Sequence, residues 1–156
     1  MSVAMSFSKS PHESLGFLLH DAARAIRRRF ELQAAELGIS SAQWRCLVHL
    51  LREGPSPQAR LAELLEIEPI SVSRLLDRME EAGWVIRAPA LNDRRVRLVP
   101  PTTKPSDALA EAKKIADTIY DDALANLPAG TREMLMAALR QIIANLSHSP
   151  ECKHED

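Results

Sequence analysis

Between Ile70 and Pro100 the chain carries six arginines, Arg74, Arg78, Arg87, Arg94, Arg95 and Arg97, and no lysine, against the four acids Asp77, Glu80, Glu81 and Asp93. This stretch is locally +2 in a chain whose formal net charge is −1. A guanidinium is a planar fork of donors that fits two phosphate oxygens, or the O6 and N7 of guanine. The other end of the chain is acidic: from Asp107 to Asp156 nine acids face five bases. The distribution of charge is therefore more informative than its sum.

Other chemistries find little to stand on. There is no Gly-rich phosphate loop, no Gly-x-Ser-x-Gly and no His-Glu-x-x-His, and the five histidines are scattered or lie near the end. Neither an enzyme nor a cofactor is expected. Cys46 sits inside a helical pattern and Cys152 in a polar tail, which is no disulfide framework and fits a reducing cytoplasm. Cys46 reads as an inert small residue, with no lysine nearby to lower its pKa, although Arg45 adjoins it. Cys152 with His148 and His154 lacks a fourth ligand at a fixed spacing, so no metal site is expected. No apolar run approaches the roughly 20 residues of a membrane span, and Met1 to Ser10 lacks the apolar stretch of a signal peptide.

The elements that position the arginines follow from periodicity. At 156 residues and 46% hydrophobic content the chain makes one or at most two small domains with a real core. Leu15, Leu18, Leu19, Ala22, Ala23, Ile26, Phe30 and Leu37 recur at helical steps from Pro11 to Leu37, and Gly38 stops the pattern. Ser40 or Ser41 offers an N-cap for a second helix through Glu53, ended by Gly54-Pro55. Pro55-Ser56-Pro57 reads as a tight loop. A short helix spans Gln58 to Leu65, and Pro69 opens another with Val72, Leu75, Leu76 and Met79 on one stripe and Gly83 beyond its end. The period then changes: Trp84 to Arg87 and Val96 to Val99 read as strands of an antiparallel ribbon joined by the turn-rich span from Pro89 to Arg95. Helical periods return from Ser106 to about Leu127 and from Thr131 to Leu146.

Helix, short turn, helix and then a two-stranded ribbon with a basic tip suits duplex DNA. The major groove is about 12 Å wide and admits one helix, while the ribbon tip reaches the backbone or the minor groove. On the helix that Pro69 opens, Ser71, Arg74 and Arg78 lie at steps of three and four on a face away from the apolar stripe. Ser73 lies towards the edge of that face. In the ribbon tip, Asp93 reads as a structural acceptor that holds the turn, so that Arg94 or Arg95 projects to phosphate or the minor groove. The competing reading of Arg74 and Arg78 is a solvated face salt-bridged by Asp77, Glu80 and Glu81.

Three segments together resemble the MarR family of transcriptional regulators: Leu37 to Arg45, Ser71 to Gly83, and Asn92 to Leu98 with its Asp93-Arg94-Arg95 wing. The resemblance covers about Leu15 to Leu146. It implies a mainly α fold with a small β-ribbon, a winged helix-turn-helix carried between long N- and C-terminal dimerisation helices. It also implies a homodimer on a pseudo-palindromic operator, and release by a small aromatic or phenolic effector or an oxidant. One departure stands out. The family's second wing strand usually runs into Leu-Thr-x-x-Gly, whereas here Val99 leads into Pro100-Pro101-Thr102-Thr103-Lys104-Pro105-Ser106.

The expected division is therefore 11–37 with 105–147 for dimerisation, 38–104 for the winged helix-turn-helix, and tails at 1–10 and 148–156. Unspent apolar stripes on the first and last two helices ask for a partner, and a homodimer would place two reading heads about 34 Å apart. A monomeric helical bundle is the alternative. The family resemblance places an effector pocket where the dimer helices meet the winged module. Phe17, His20, Arg24, Trp44 and His49 are on helices that border it, Arg24 suited to a carboxylate or phenolate and Trp44 to a ring. The plainer reading puts Phe17 and Trp44 in the core. The expected protein is a cytoplasmic, ligand-responsive regulator of transcription, acting as a repressor on double-stranded DNA and touching no membrane. A helical module gripping an acidic protein partner with its Arg-rich helix is the rival.

Overall fold

The computed structural model describes residues 11–89, 97–99 and 107–147. Its order is α1 (Pro11–Ala34), a 3-10 turn (Ala35–Leu37), α2 (Ser41–Glu53), β1 (Ser56–Pro57), α3 (Gln58–Leu65), α4 (Pro69–Glu81), β2 (Ala88–Pro89), β3 (Arg97–Val99), α5 (Asp107–Ala123) and α6 (Thr131–Ser147). The chain falls into two compact units, one ending at Ile119 and the other starting at Tyr120.

In the first unit the core gathers one stripe from each helix. Phe30 and Ala34 of α1, Cys46, Leu47 and Leu50 of α2, Leu61 and Leu65 of α3, and Val72, Leu76 and Met79 of α4 are all buried. Trp84 and Val85 join them from the segment after α4, and Ala112, Ala116 and Ile119 from α5. The small residues of α5 matter because alanine lets a helix approach closely, at the cost of little side-chain area. In the second unit, by contrast, α6 buries none of its residues.

Helix ends match their sequence signals. Ser40 caps α2 through a capping box: its Oγ accepts from the Gln43 backbone N–H at 3.2 Å, and the Gln43 Oε1 accepts from the Ser40 N–H at 2.8 Å. Gly38 takes the left-handed conformation, φ 68°, that ends the 3-10 turn. At the end of α2, Gly54 has φ 81° and ψ −166°, a region open to almost nothing but glycine. Gly54→Ala is therefore expected to lower stability by about 1–3 kcal/mol, read as a fall in the urea midpoint with unchanged slope.

The sheet departs from the expected two-stranded ribbon. Ser56–Pro57, expected as loop, is a strand, and the sheet has three strands in the order β1-β3-β2. Ser56 pairs with Val99 and Pro57 with Leu98, while Ala88 pairs with Leu98 and Pro89 with Arg97, all antiparallel. Each outer strand contains a proline. That is possible because an edge strand has one side with no ladder to join, where a missing N–H costs nothing. The first ribbon strand also lies later than expected, at Ala88–Pro89 rather than Trp84–Arg87. Trp84 and Val85 have branched or bulky side chains for a different reason, since they are 8% and 1% exposed in the core beneath α4. The ribbon tip and the Pro-rich segment after β3 lie outside the described residues. Among the described residues, no helix is long and apolar enough to cross a membrane.

Candidate nucleic-acid interface

The turn between α3 and α4 sets how α4 is presented. Glu66 closes α3 in the left-handed conformation at φ 55°, and the Ile67 N–H donates back to the Ala62 carbonyl at 3.2 Å. Pro69 then starts α4, supplying a fixed φ where no N–H is needed. With Val72, Leu76 and Met79 buried, helical geometry turns Ser71, Arg74 and Arg78 outward, and all three are exposed.

These three residues border one open cleft of about 300 Å³, shared with Ser40, Ala42 and Gln43 at the start of α2 and with Ile67 and Leu75. The cleft thus joins two guanidinium groups to the N-terminus of α2, whose backbone dipole also favours negative charge. Two of the first N–H groups there are already engaged: Ser41 donates to Glu31 Oε1 of α1 at 2.7 Å, and Gln43 to the Ser40 cap. Ser73 is not part of the cleft, and its carbonyl accepts from Arg87 Nη2 at 2.9 Å.

Two of the three acids of α4, Asp77 and Glu80, are engaged as well, but not by Arg74 or Arg78. Arg87 Nη2 lies 2.5 Å from Asp77 Oδ1, and the Arg87 backbone N–H donates to Glu80 Oε1 at 3.2 Å. The Arg87 side chain is only 14% exposed. Among the described residues, neither Arg74 nor Arg78 takes part in an ion pair. The salt-bridged face considered from the sequence is thus built around a different arginine. The sequence shows Arg87 only as one of six arginines and does not reveal this role. The available signal was a pair of acids three residues apart on a helix, followed past its C-terminal glycine by a lone arginine.

Asp93, Arg94 and Arg95 lie outside the described residues, as do His148, Cys152 and His154. The effector candidates occupy different settings. Phe17, His20 and Arg24 are exposed on α1, Phe17 at 72%, and Arg24 Nη2 sits 3.1 Å from Asp21 Oδ1. Trp44 stacks on Phe30 with ring centroids 5.9 Å apart and planes 20° off parallel, which ties α2 to α1. His49 is half-buried; burial, with Arg45, Arg52 and Arg60 adding to it and Glu53 opposing, holds its pKa below the ordinary value.

Cys46 is fully buried, and burial pushes its thiol pKa from 9.0 up to about 12. The neighbouring Arg45 does not offset this; its Nη2 reaches the Leu65 carbonyl at 3.5 Å instead. A neutral thiol favoured by the fold adds stability at pH values below the unfolded pKa, and that stability is lost as pH rises through the folded one. Two outcomes are expected. Cys46 stays unalkylated by iodoacetamide in the folded protein at pH 8 and reacts once urea unfolds it, and stability declines between about pH 9 and 12.

The MarR family model matches residues 39–96, starting at the residue before the α2 cap. The solved structure of the transcriptional regulator PA3341 is 33% identical, covers 85% of this chain and 98% of its own, and superposes with a TM-score of 0.71. This chain belongs to the MarR family. As a member it is a regulator of transcription with a winged helix-turn-helix and not an enzyme. Other relatives sort by coverage. The Pseudomonas putida transcriptional repressor NicR is 28% identical over 84% of this chain and 83% of its own. The Bacillus subtilis regulator YwoH is 35% identical, but the match spans 52% of this chain and 58% of YwoH. A variant of Escherichia coli MarR in complex with operator DNA is 25% identical, covers 83% of this chain and 93% of its own, and has a TM-score of 0.66. The stretch matched by the family model contains the whole cleft and Arg87.

Proposed function

We propose that this MarR-family regulator binds a pseudo-palindromic operator duplex as a homodimer and represses the genes beside it. In this reading α4 enters the major groove, Arg74 and Arg78 take guanine edges or phosphates, and Ser71 donates to a phosphate. Arg94 and Arg95 reach the backbone or minor groove from the wing, with Asp93 holding its turn. The observation that carries the reading is the cleft of Ser71, Arg74 and Arg78, whose two arginines have no acid partner among the described residues. The neighbour bound to operator DNA and the repressor NicR support the same partner and the same sign of control. The relatives do not favour the rival reading, an acidic protein partner.

Dimerisation is supported separately in each unit. Leu15, Phe17, Leu18 and Leu19 of α1 and Met134, Ile143 and Leu146 of α6 are exposed, large apolar side chains of the kind an interface covers. The division expected from the sequence, 11–37 with 105–147 for pairing and 38–104 for reading DNA, belongs to this proposal. So does release by a small aromatic or phenolic effector, for which Phe17, His20, Arg24, Trp44 and His49 remain the candidate contacts, and so does a cytoplasmic location.

A salt titration tests the reading. Gel shifts on a duplex recovered from a random pool should show log K falling with log[NaCl] at a slope of about −0.9 per neutralised phosphate. Addition of phenols or aromatic acids should then lower the affinity. Binding that is indifferent to salt, or equally tight to an acidic polypeptide, would overturn it.

A further inference from the structure

Arg87 stands just outside the reading face, yet three of its contacts are to α4: the Ser73 carbonyl at 2.9 Å, Asp77 Oδ1 at 2.5 Å and Glu80 Oε1 at 3.2 Å. Its Nε is buried without a hydrogen-bond partner among the described residues, so the side chain is held at this site although one of its donors is left unmatched. An unmatched buried donor is a cost that folds usually avoid. What the arrangement achieves is visible in the spacing on α4. Asp77 is three residues beyond Arg74 and next to Arg78, close enough on a helix surface to pair with Arg74. Without Arg87, Asp77 would have Arg74 as its nearest alternative, and an acid would sit at the margin of a face that meets phosphates.

We propose that Arg87 is a positioning residue for DNA reading: its guanidinium takes Asp77 out of the electrostatics of the interface and so keeps Arg74 and Arg78 unopposed. This rests on the proposed operator binding. It goes beyond a structural strut, because it assigns the effect of losing Arg87 to the acid released rather than to the bond lost. The two descriptions differ at Asp77. If Arg87 only braces the helix, removing either partner of the ion pair does the same harm. If Arg87 sequesters the acid, removing the acid does no harm, and removing it together with Arg87 undoes the damage.

The test uses the full chain as wild type, Arg87→Met, Asp77→Asn and the double variant, each titrated against the same selected duplex over a range of NaCl, with a thermal melt for each. Arg87→Met is expected to bind on the order of tenfold more weakly, with the salt slope shallower by about one, the loss of one arginine's contact. Asp77→Asn should stay within about twofold of wild type with an unchanged slope, and the double variant should recover to within about threefold. The proposal is overturned if Asp77→Asn weakens binding as much as Arg87→Met does, or if the double variant stays as weak as Arg87→Met. Should Arg87→Met fail to fold, the Asp77→Asn titration alone decides between the two descriptions. A wild type that shows no salt-dependent duplex binding removes the operator reading itself, and the proposal with it.

Discussion

Arg74→Ala is expected to weaken binding to the selected duplex by about 1–3 kcal/mol per half-site, roughly 5- to 150-fold, and to relax base preference at one position of each half-site. Arg74 is exposed, lines the cleft with Ser71 and Arg78, and takes part in no ion pair among the described residues. Its removal therefore leaves no buried acid behind and should not shift the melting temperature measurably. The wing offers a contrast: Arg94→Ala and Arg95→Ala should weaken all duplexes alike, because phosphate contacts carry no sequence information. Titration of the variants against the selected duplex and a scrambled one separates the two behaviours. Undiminished affinity in Arg74→Ala would remove that residue from the interface.

The opposite face of the same helix predicts the second large effect. Leu76 is fully buried against α2 and α3 residues of the core, two positions beyond Arg74. Leu76→Ala leaves a cavity that close-packed neighbours fill only in part, and about 2–5 kcal/mol of stability should be lost. Against a total of about 5–15 kcal/mol for a domain, that is enough to leave a measurable unfolded fraction at growth temperature. Urea unfolding followed by far-ultraviolet circular dichroism reads it directly. A loss below about 1 kcal/mol would mean that the core relaxes around this site. Arg74 and Leu76 thus divide the labour of α4: one changes binding without stability, the other chiefly stability.

The helices are legible in the sequence because their signals are local. Ser40 with Gln43 three residues on, Pro69 at a first turn, and Gly38 or Gly83 past an end each act on the backbone beside them. The reading face of α4 is legible for the same reason, since the apolar stripe of Val72, Leu76 and Met79 leaves only one place for Ser71, Arg74 and Arg78. Pairing across the chain is not local, and there the sequence is weaker. Ser56–Pro57 becomes a strand only because β3, some forty residues later, supplies its hydrogen bonds; a two-residue strand that itself includes a proline carries no alternation to read. Trp84 and Val85 look like a strand from their side chains, yet core burial explains them equally well. Arg87 is the clearest case. Nothing in the spacing from Asp77 to Arg87 fixes a distance, and only the fold shows which arginine the acids of α4 face.

The most direct test of the central claim is a hydroxyl-radical footprint of the full chain on its selected duplex. Two protected patches centred one helical turn apart, about 34 Å, on one side of the DNA are expected, each spanning a major-groove half-site. A single protected patch, or protection spread evenly along the duplex, would contradict the account of two copies reading DNA with paired α4 helices.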